Sequence, residues 1–196
     1  DSDALYGGDG NDYLDAGAGA DLTVDGDDGD DVIRGGVGND NLNGGAGIDQ
    51  LYGDDGDDTI ISGAGHVNGR QAGQRLYGGA GSDKLFAFTP GTGTTTASYV
   101  DQLGLAGDQL FGGDDNDILR GNIRREVIVG GAGNEFIAGD ILMGANLLFN
   151  PEADTFGSTD LIFGGSGEDQ LFGGGGNDVI WGGAGSDLID GQDGAD

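Results

Sequence analysis

The chain of 196 residues has no cysteine, one histidine, one methionine and only 7 Lys+Arg. Without cysteine there is no disulfide and no thiolate metal centre. No run of about 18 apolar residues occurs, so no membrane-spanning helix is expected. The opening "DSDALY" has neither the basic start nor the apolar stretch of a secretory signal. The sequence opens and closes inside a repeat, so 1–196 is expected to be one domain and an excerpt of a longer array. The few cations stand against 36 Asp+Glu, a formal charge of −29, which makes nucleic acid a poor partner. The HExxH zinc motif and the GxSxG nucleophile elbow are both missing. The single histidine, His66, sits in a glycine-rich stretch and reads as a polar loop residue, so catalysis is not expected.

Glycine is abundant, at 47 residues. Low hydrophobicity with high net charge ordinarily gives disorder, and glycine adds to the backbone entropy lost on folding. Here the glycines are regularly spaced, which points to a repeat architecture. In "GGGGNDVIWGGAGSDLID", residues 173–190, two nine-residue copies run back to back. Asp178 and Asp187 hold the sixth place, Ile180 and Ile189 the eighth. Clean units also begin at Gly7, Gly35, Gly44, Gly78 and Gly164; looser ones begin at Ala16, Gly26, Gly53, Gly112, Gly121 and Gly130. Asp25 reads as one inserted residue. Units 62–77, 87–111 and 139–163 are stretched, yet end in "RLY", "QLF" and "LIF".

Places one to six have turn composition, and places seven to nine alternate around one branched apolar residue, a very short strand. Such a unit buries nothing alone but can bury its apolar residue when copies stack. With successive units on alternate sides, two units make one coil. One inward ladder then holds Leu14, Ile33, Leu51, Leu76, Leu110, Ile128, Ile162 and Ile180. The other holds Leu5, Leu42, Ile60, Leu85, Leu119, Ile137, Leu171 and Ile189, with Thr23 as a polar intruder.

The pattern in "GGAGSDLID" resembles the repeats-in-toxin (RTX), or haemolysin-type calcium-binding, family over nearly the whole chain apart from the three inserts. The resemblance implies an all-β, right-handed parallel β-roll with calcium in its turns and export from bacteria, usually by a type I system. One turn would give the carbonyls of its second and fourth residues. The next turn on that edge would give those of its first and third, and both would give sixth-place carboxylates. Carried onto this sequence, the carboxylates are Asp12, Asp31, Asp40, Asp49, Asp58, Asp83, Asp117, Asp169, Asp178, Asp187 and Asp196, with Asp21 and Asp160 in looser turns. The second- and fourth-place carbonyls are those of Gly8 and Gly10, Gly29, Gly36 and Gly38, Gly45 and Gly47, Gly56, Gly79 and Gly81, Gly113, Gly131 and Gly133, Gly165 and Gly167, Gly174 and Gly176, Gly183 and Gly185, and Gly194. Glu135 departs by a methylene, and Asp115 stands where the fourth glycine is expected. Gln74 and Glu126 lie in glycine-poor units where calcium is not expected.

Counting alternate units places all three inserts (about 66–73, 87–103 and 141–156) and the glycine-poor "GNIRREVIV" on one edge. Arg70, Arg75, Arg124 and Arg125 gather there, either as replacements for missing calcium charge or as surface arginines pairing loosely. On one sheet the ninth place carries Tyr52, Tyr77, Phe111, Val129, Phe163 and Trp181, either a partner surface or a cover for strand edges.

The function expected is that of a calcium-binding roll with roughly ten ions, since calcium takes oxygen ligands and extracellular sites bind near 10⁻⁴–10⁻³ M. It would fold outside the cell as a structural and secretion module, secreted or at the cell surface. The alternatives are a subunit of a surface layer, filament or adhesin assembled through the inserts, and a carbohydrate-binding module. Candidate partners besides calcium are other copies of the chain or a surface polymer.

Overall fold

A computed structural model describes residues 1–63, 73–87, 106–122, 124–139 and 158–196. His66, Arg70 and almost all of the three inserts lie outside the described residues. Seventeen strands and no helix are described. In the first half they are β1 (Ala4–Tyr6), β2 (Tyr13–Ala18), β3 (Thr23–Asp25), β4 (Val32–Val37), β5 (Asn41–Asn43), β6 (Gln50–Asp55), β7 (Thr59–Ile61), β8 (Arg75–Ala80) and β9 (Lys84–Phe86). They continue as β10 (Ala106–Asp114), β11 (Ile118–Arg120), β12 (Arg125–Ala132), β13 (Phe136–Ala138), β14 (Leu161–Ser166), β15 (Gln170–Gly175), β16 (Val179–Ala184) and β17 (Leu188–Asp193). Odd-numbered strands form a nine-stranded sheet and even-numbered strands an eight-stranded one, each strand pairing in parallel with the second strand along the chain. Two units therefore make one coil of a parallel β-roll.

The register sets the eighth-place residues in line. In the eight-stranded sheet Leu14, Ile33, Leu51, Leu76, Leu110, Ile128, Ile162 and Ile180 are successive partners. In the other sheet the line runs from Leu5 through Val24 and Leu42 to Leu171 and Ile189. The interior members are completely or almost completely buried and form one narrow core between the sheets. At about 2 kcal/mol per fully buried aliphatic side chain, these ladders are the main apolar stabilisation of each coil.

Val24, not Thr23, takes the inward place. The inserted residue is Leu22, 70% exposed, displaced outward between Asp21 and β3; Asp25 is an ordinary ninth-place residue paired with Tyr6 and Asn43. A buried threonine hydroxyl would need a partner that the ladder lacks, whereas outside it Thr23 Oγ1 donates to the Leu22 carbonyl at 2.7 Å. The strands also differ in length. Most strands of the nine-stranded sheet have three residues, while those of the eight-stranded sheet have six or more and extend pairing into the following turn, as in Gly17 with Gly36. The chain passes from the nine-stranded to the eight-stranded sheet between β7 and β8, β9 and β10, and β13 and β14, so the described ends of the three stretched units lie on one edge.

Candidate metal centre

The sixth-place carboxylates stack in two columns, one on each edge. In each link Oδ1 accepts the N–H of the sixth-place residue one coil earlier. On one edge Asp12 donates to Asp31 (2.8 Å) and Asp31 to Asp49 (2.9 Å); further on, Asp160 donates to Asp178 and Asp178 to Asp196 (each 2.9 Å). On the other edge the links run from Asp21 to Asp40 (2.7 Å), Asp58 (2.8 Å), Asp83 (2.8 Å) and Asp117 (2.9 Å), then from Glu135 to Asp169 (3.1 Å) and Asp187 (3.2 Å). One oxygen of each accepting aspartate is thus fixed by the preceding coil, whereas both oxygens of Glu135 are left without a hydrogen bond.

The second oxygen has no hydrogen-bond partner. Oδ2 is buried and unpartnered in Asp12, Asp21, Asp31, Asp40, Asp49, Asp58, Asp83, Asp117, Asp160, Asp169 and Asp178. In all of these but Asp21, whose turn begins at Ala16, it faces the first-place glycine of its own turn, beside the carbonyl of the first-place residue of the next coil. A Cβ on Gly78 would collide with Asp83 Oδ2 and the Gly112 carbonyl; one on Gly53 would collide with Asp58 Oδ2 and the Gly78 carbonyl. The missing side chain keeps an oxygen-lined cradle open.

Positive φ completes the turn. Second- and fourth-place residues take it in pairs, as in Gly8 and Gly10 (91° and 114°), Gly36 and Gly38 (107° and 129°), and Gly183 and Gly185 (108° and 146°). Asp115 holds φ 71° at the fourth place, and Asp27, Asp54 and Gln192 hold similar values at the second. Turn geometry therefore dominates their side-chain preference, at a cost of order 1 kcal/mol each.

Burial makes ionisation of these carboxyls costly. Loss of water, with like charges in the turns above and below, raises Asp49, Asp58, Asp83 and Asp117 to about 7 and Asp178 to about 6. Asp31, Asp40 and Asp160 move in the same direction for the same first reason. Glu135, buried beside Asp169, rises to about 8. A hard cation fits such a site, because it supplies positive charge and accepts carboxylate and carbonyl oxygen alike. Among the described residues no three His, Cys, Asp or Glu side chains converge as a metal centre. Each turn brings one carboxylate, leaving the remaining protein oxygens to the backbone.

The family model described as RTX calcium-binding nonapeptide repeat (4 copies) matches residues 1–22, 23–51, 35–66, 71–88, 104–125, 111–141 and 157–196. The chain belongs to this family. Its RTX repeats form a calcium-binding module of a kind typical of type I secreted proteins, and the repeat is structural rather than catalytic. No curated protein matches the chain.

Two features of the RTX turns were not anticipated from sequence. Asp108 is a sixth-place carboxylate, 3% exposed, whose Oδ1 accepts the Gln74 N–H at 2.9 Å. The identity of "DQLF" at 108–111 and 169–172 is the signal that marks it. A second ladder also runs outside the carboxylates, through fifth-place side chains. Asn11 Oδ1 accepts the Asp30 N–H (3.0 Å), Asn116 that of Asn134 (2.8 Å) and Asn177 that of Ala195 (2.9 Å).

The ninth-place aromatics stack face to face along the eight-stranded sheet. Tyr52, Tyr77 and Phe111 have centroids 4.8 and 4.9 Å apart and nearly parallel planes. Phe163 lies 4.7 Å from Trp181, and the Arg34 guanidinium lies over Tyr52 at 4.8 Å. Their faces are turned towards one another along the stack, and all but Trp181 are half-buried.

Proposed function

We propose that this domain folds on binding calcium outside the cell and serves as a structural and secretion module of a type I-secreted protein. The observation that carries this reading is the repeated cradle, in which a buried, unpartnered Asp Oδ2 meets a carbonyl of the next coil. Bound calcium supplies the positive charge that joins the carboxylates of adjacent coils. The chain's own residues prepare the rest. Oδ1 is held by a backbone N–H, positive φ aims the carbonyls, and glycine at the first place leaves room. At cytosolic calcium, far below the 10⁻⁴–10⁻³ M typical of extracellular sites, the like charges of each column repel without compensation. Two carboxylates about 4 Å apart repel by roughly 4 kcal/mol at an effective dielectric of 20. Partner binding through sugar stacking draws no support from the aromatic rows, since stacked rings offer solvent mainly their edges.

Native mass spectrometry across a calcium titration tests the reading. The expected result is uptake of about ten ions, with hard-oxygen sites filling near extracellular concentrations and the charge-state envelope narrowing as the chain compacts. A chain that takes up no calcium, or keeps a compact envelope in chelator, would overturn it.

A further inference from the structure

The edge that bears the long turns breaks its own pattern in the middle. From Asp49 to Asp160 its sixth places read Gln74, Asp108 and Glu126; the N–H groups of Gln74 and Glu126 still reach Asp108 Oδ1 and Asp160 Oδ1 (each 2.9 Å), but the turn residues change. On the opposite edge every turn from Gly17 to Gly185 keeps its pair of positive φ angles. Among the described residues of 106–111 and 121–126 none has positive φ. Ala106 instead pairs with Arg125, and β10 shifts register before Gln109. Backbone that elsewhere turns carbonyls into a cradle is engaged here in the sheet.

Nitrogen donors stand where a cradle would lie. Gln74, 2% exposed, donates from Nε2 to the Gly47 carbonyl at 3.2 Å. Gly47 is a fourth-place residue with φ 154°, so its carbonyl is of the kind that lines an ordinary turn. Arg124 holds the fourth place of its own turn and is only 5% exposed. Asn122 Oδ1 accepts the Arg124 N–H at 2.9 Å and so fixes the arginine's backbone. The guanidinium acts on Asp108 and Glu126, both almost fully buried, and Glu126 Oε1 reaches back against Gly107 beside Asp108. Ser62 hydrogen-bonds the Asp108 side chain. The arginine's charge is thus coupled to carboxylates of two successive coils. By contrast Arg75 and Arg125 are exposed, and Arg75 Nε donates to Gln109 Oε1 at 3.2 Å.

We propose that this stretch of the edge is built without calcium, the Gln74 amide and the Arg124 guanidinium holding together coils that ions join elsewhere. The edge is then two ion-dependent blocks, Asp12–Asp49 and Asp160–Asp196, on either side of an ion-independent one. An arginine suits the task because its charge is permanent and its planar fork can meet carboxylates on two sides. The inference rests on calcium occupying the ordinary turns, as proposed above.

An anomalous-difference map from crystals grown in saturating calcium, together with thermal melts, tests it. The unaltered chain should give calcium peaks beside Asp31, Asp58 and Asp83 and none beside Gln74, Asp108 or Glu126. A peak at any of those three overturns the inference. A map empty along both edges removes the proposed function instead, and the melts still decide the arginine's part. In saturating calcium, R124Q should lower Tm by about 10 °C, as expected for leaving the buried Asp108 and Glu126 carboxyls without a nearby positive charge. R124K should recover part of the loss. An unchanged Tm for R124Q, or recovery of its Tm on adding more calcium, would show that the guanidinium does not do an ion's work.

Discussion

At the residue scale each carboxylate is divided between two tasks. Oδ1 links backbone to backbone, as in Asp58 N–H to Asp83, and Oδ2 is turned into the cradle. This division fixes the sign of the pH response. Asp49, Asp58, Asp83 and Asp117 stand at about 7 in the ion-free roll, against 3.8 for an unperturbed aspartate. A folded-state value above the unfolded one means stability that is fully present below the unfolded value and lost as pH rises through about 7. Acid therefore favours the ion-free roll, while protons compete with calcium for the same oxygens. In excess chelator, circular dichroism should therefore show β structure gained as pH falls from about 8 to about 5, because protonation removes the charge that opens the ion-free roll while the unfolded chain stays ionised. A chelated chain with the same spectrum at both pH values would mean that burial in the roll does not hold these carboxyls above their unfolded value.

At the scale of the turn and its strand, the decisive contact is between a first-place glycine and the next coil. Gly78 has ordinary φ, so alanine there is opposed not by its own dihedral but by overlap of its Cβ with Asp83 Oδ2 and the Gly112 carbonyl of the next coil. Gly78→Ala should bind one calcium fewer than the unaltered chain in native mass spectra; an equal count would remove the cradle as the binding place. Period and parity were legible from sequence because glycine, aspartate and Leu/Ile recur at fixed places, and the register bears out the inward ladders. The inserted residue was not. Thr23 and Val24 are both β-branched, and only the need to keep a hydroxyl out of the ladder decides between them. Nor did spacing separate Arg124 from Arg125. In a turn with no glycine after Gly121 the nine-residue rule does not say which neighbour faces inward; pairing of Arg125 with Ala106 settles it. The long strands escaped notice because glycine-rich places read as turn, although their backbone still pairs.

At the scale of the molecule, −29 of formal charge is folded around a core one residue deep on each side. About ten divalent ions would offset some twenty of those charges, and at millimolar calcium, with a dissociation constant near 10⁻⁴ M, each would add roughly 1.4 kcal/mol. That total is comparable to the entire net stability of an ordinary domain, roughly 5–15 kcal/mol. The roll and its ions are then one cooperative system, interrupted on the edge where the buried Arg124 is coupled to Asp108 and Glu126. The most direct measurement is the far-UV circular dichroism of the whole domain in excess chelator and again in about 10 mM calcium, above the usual range of extracellular sites. The account predicts a mainly unfolded spectrum in chelator and a β-rich one after calcium is added. A β-rich spectrum that persists in chelator at neutral pH would contradict it.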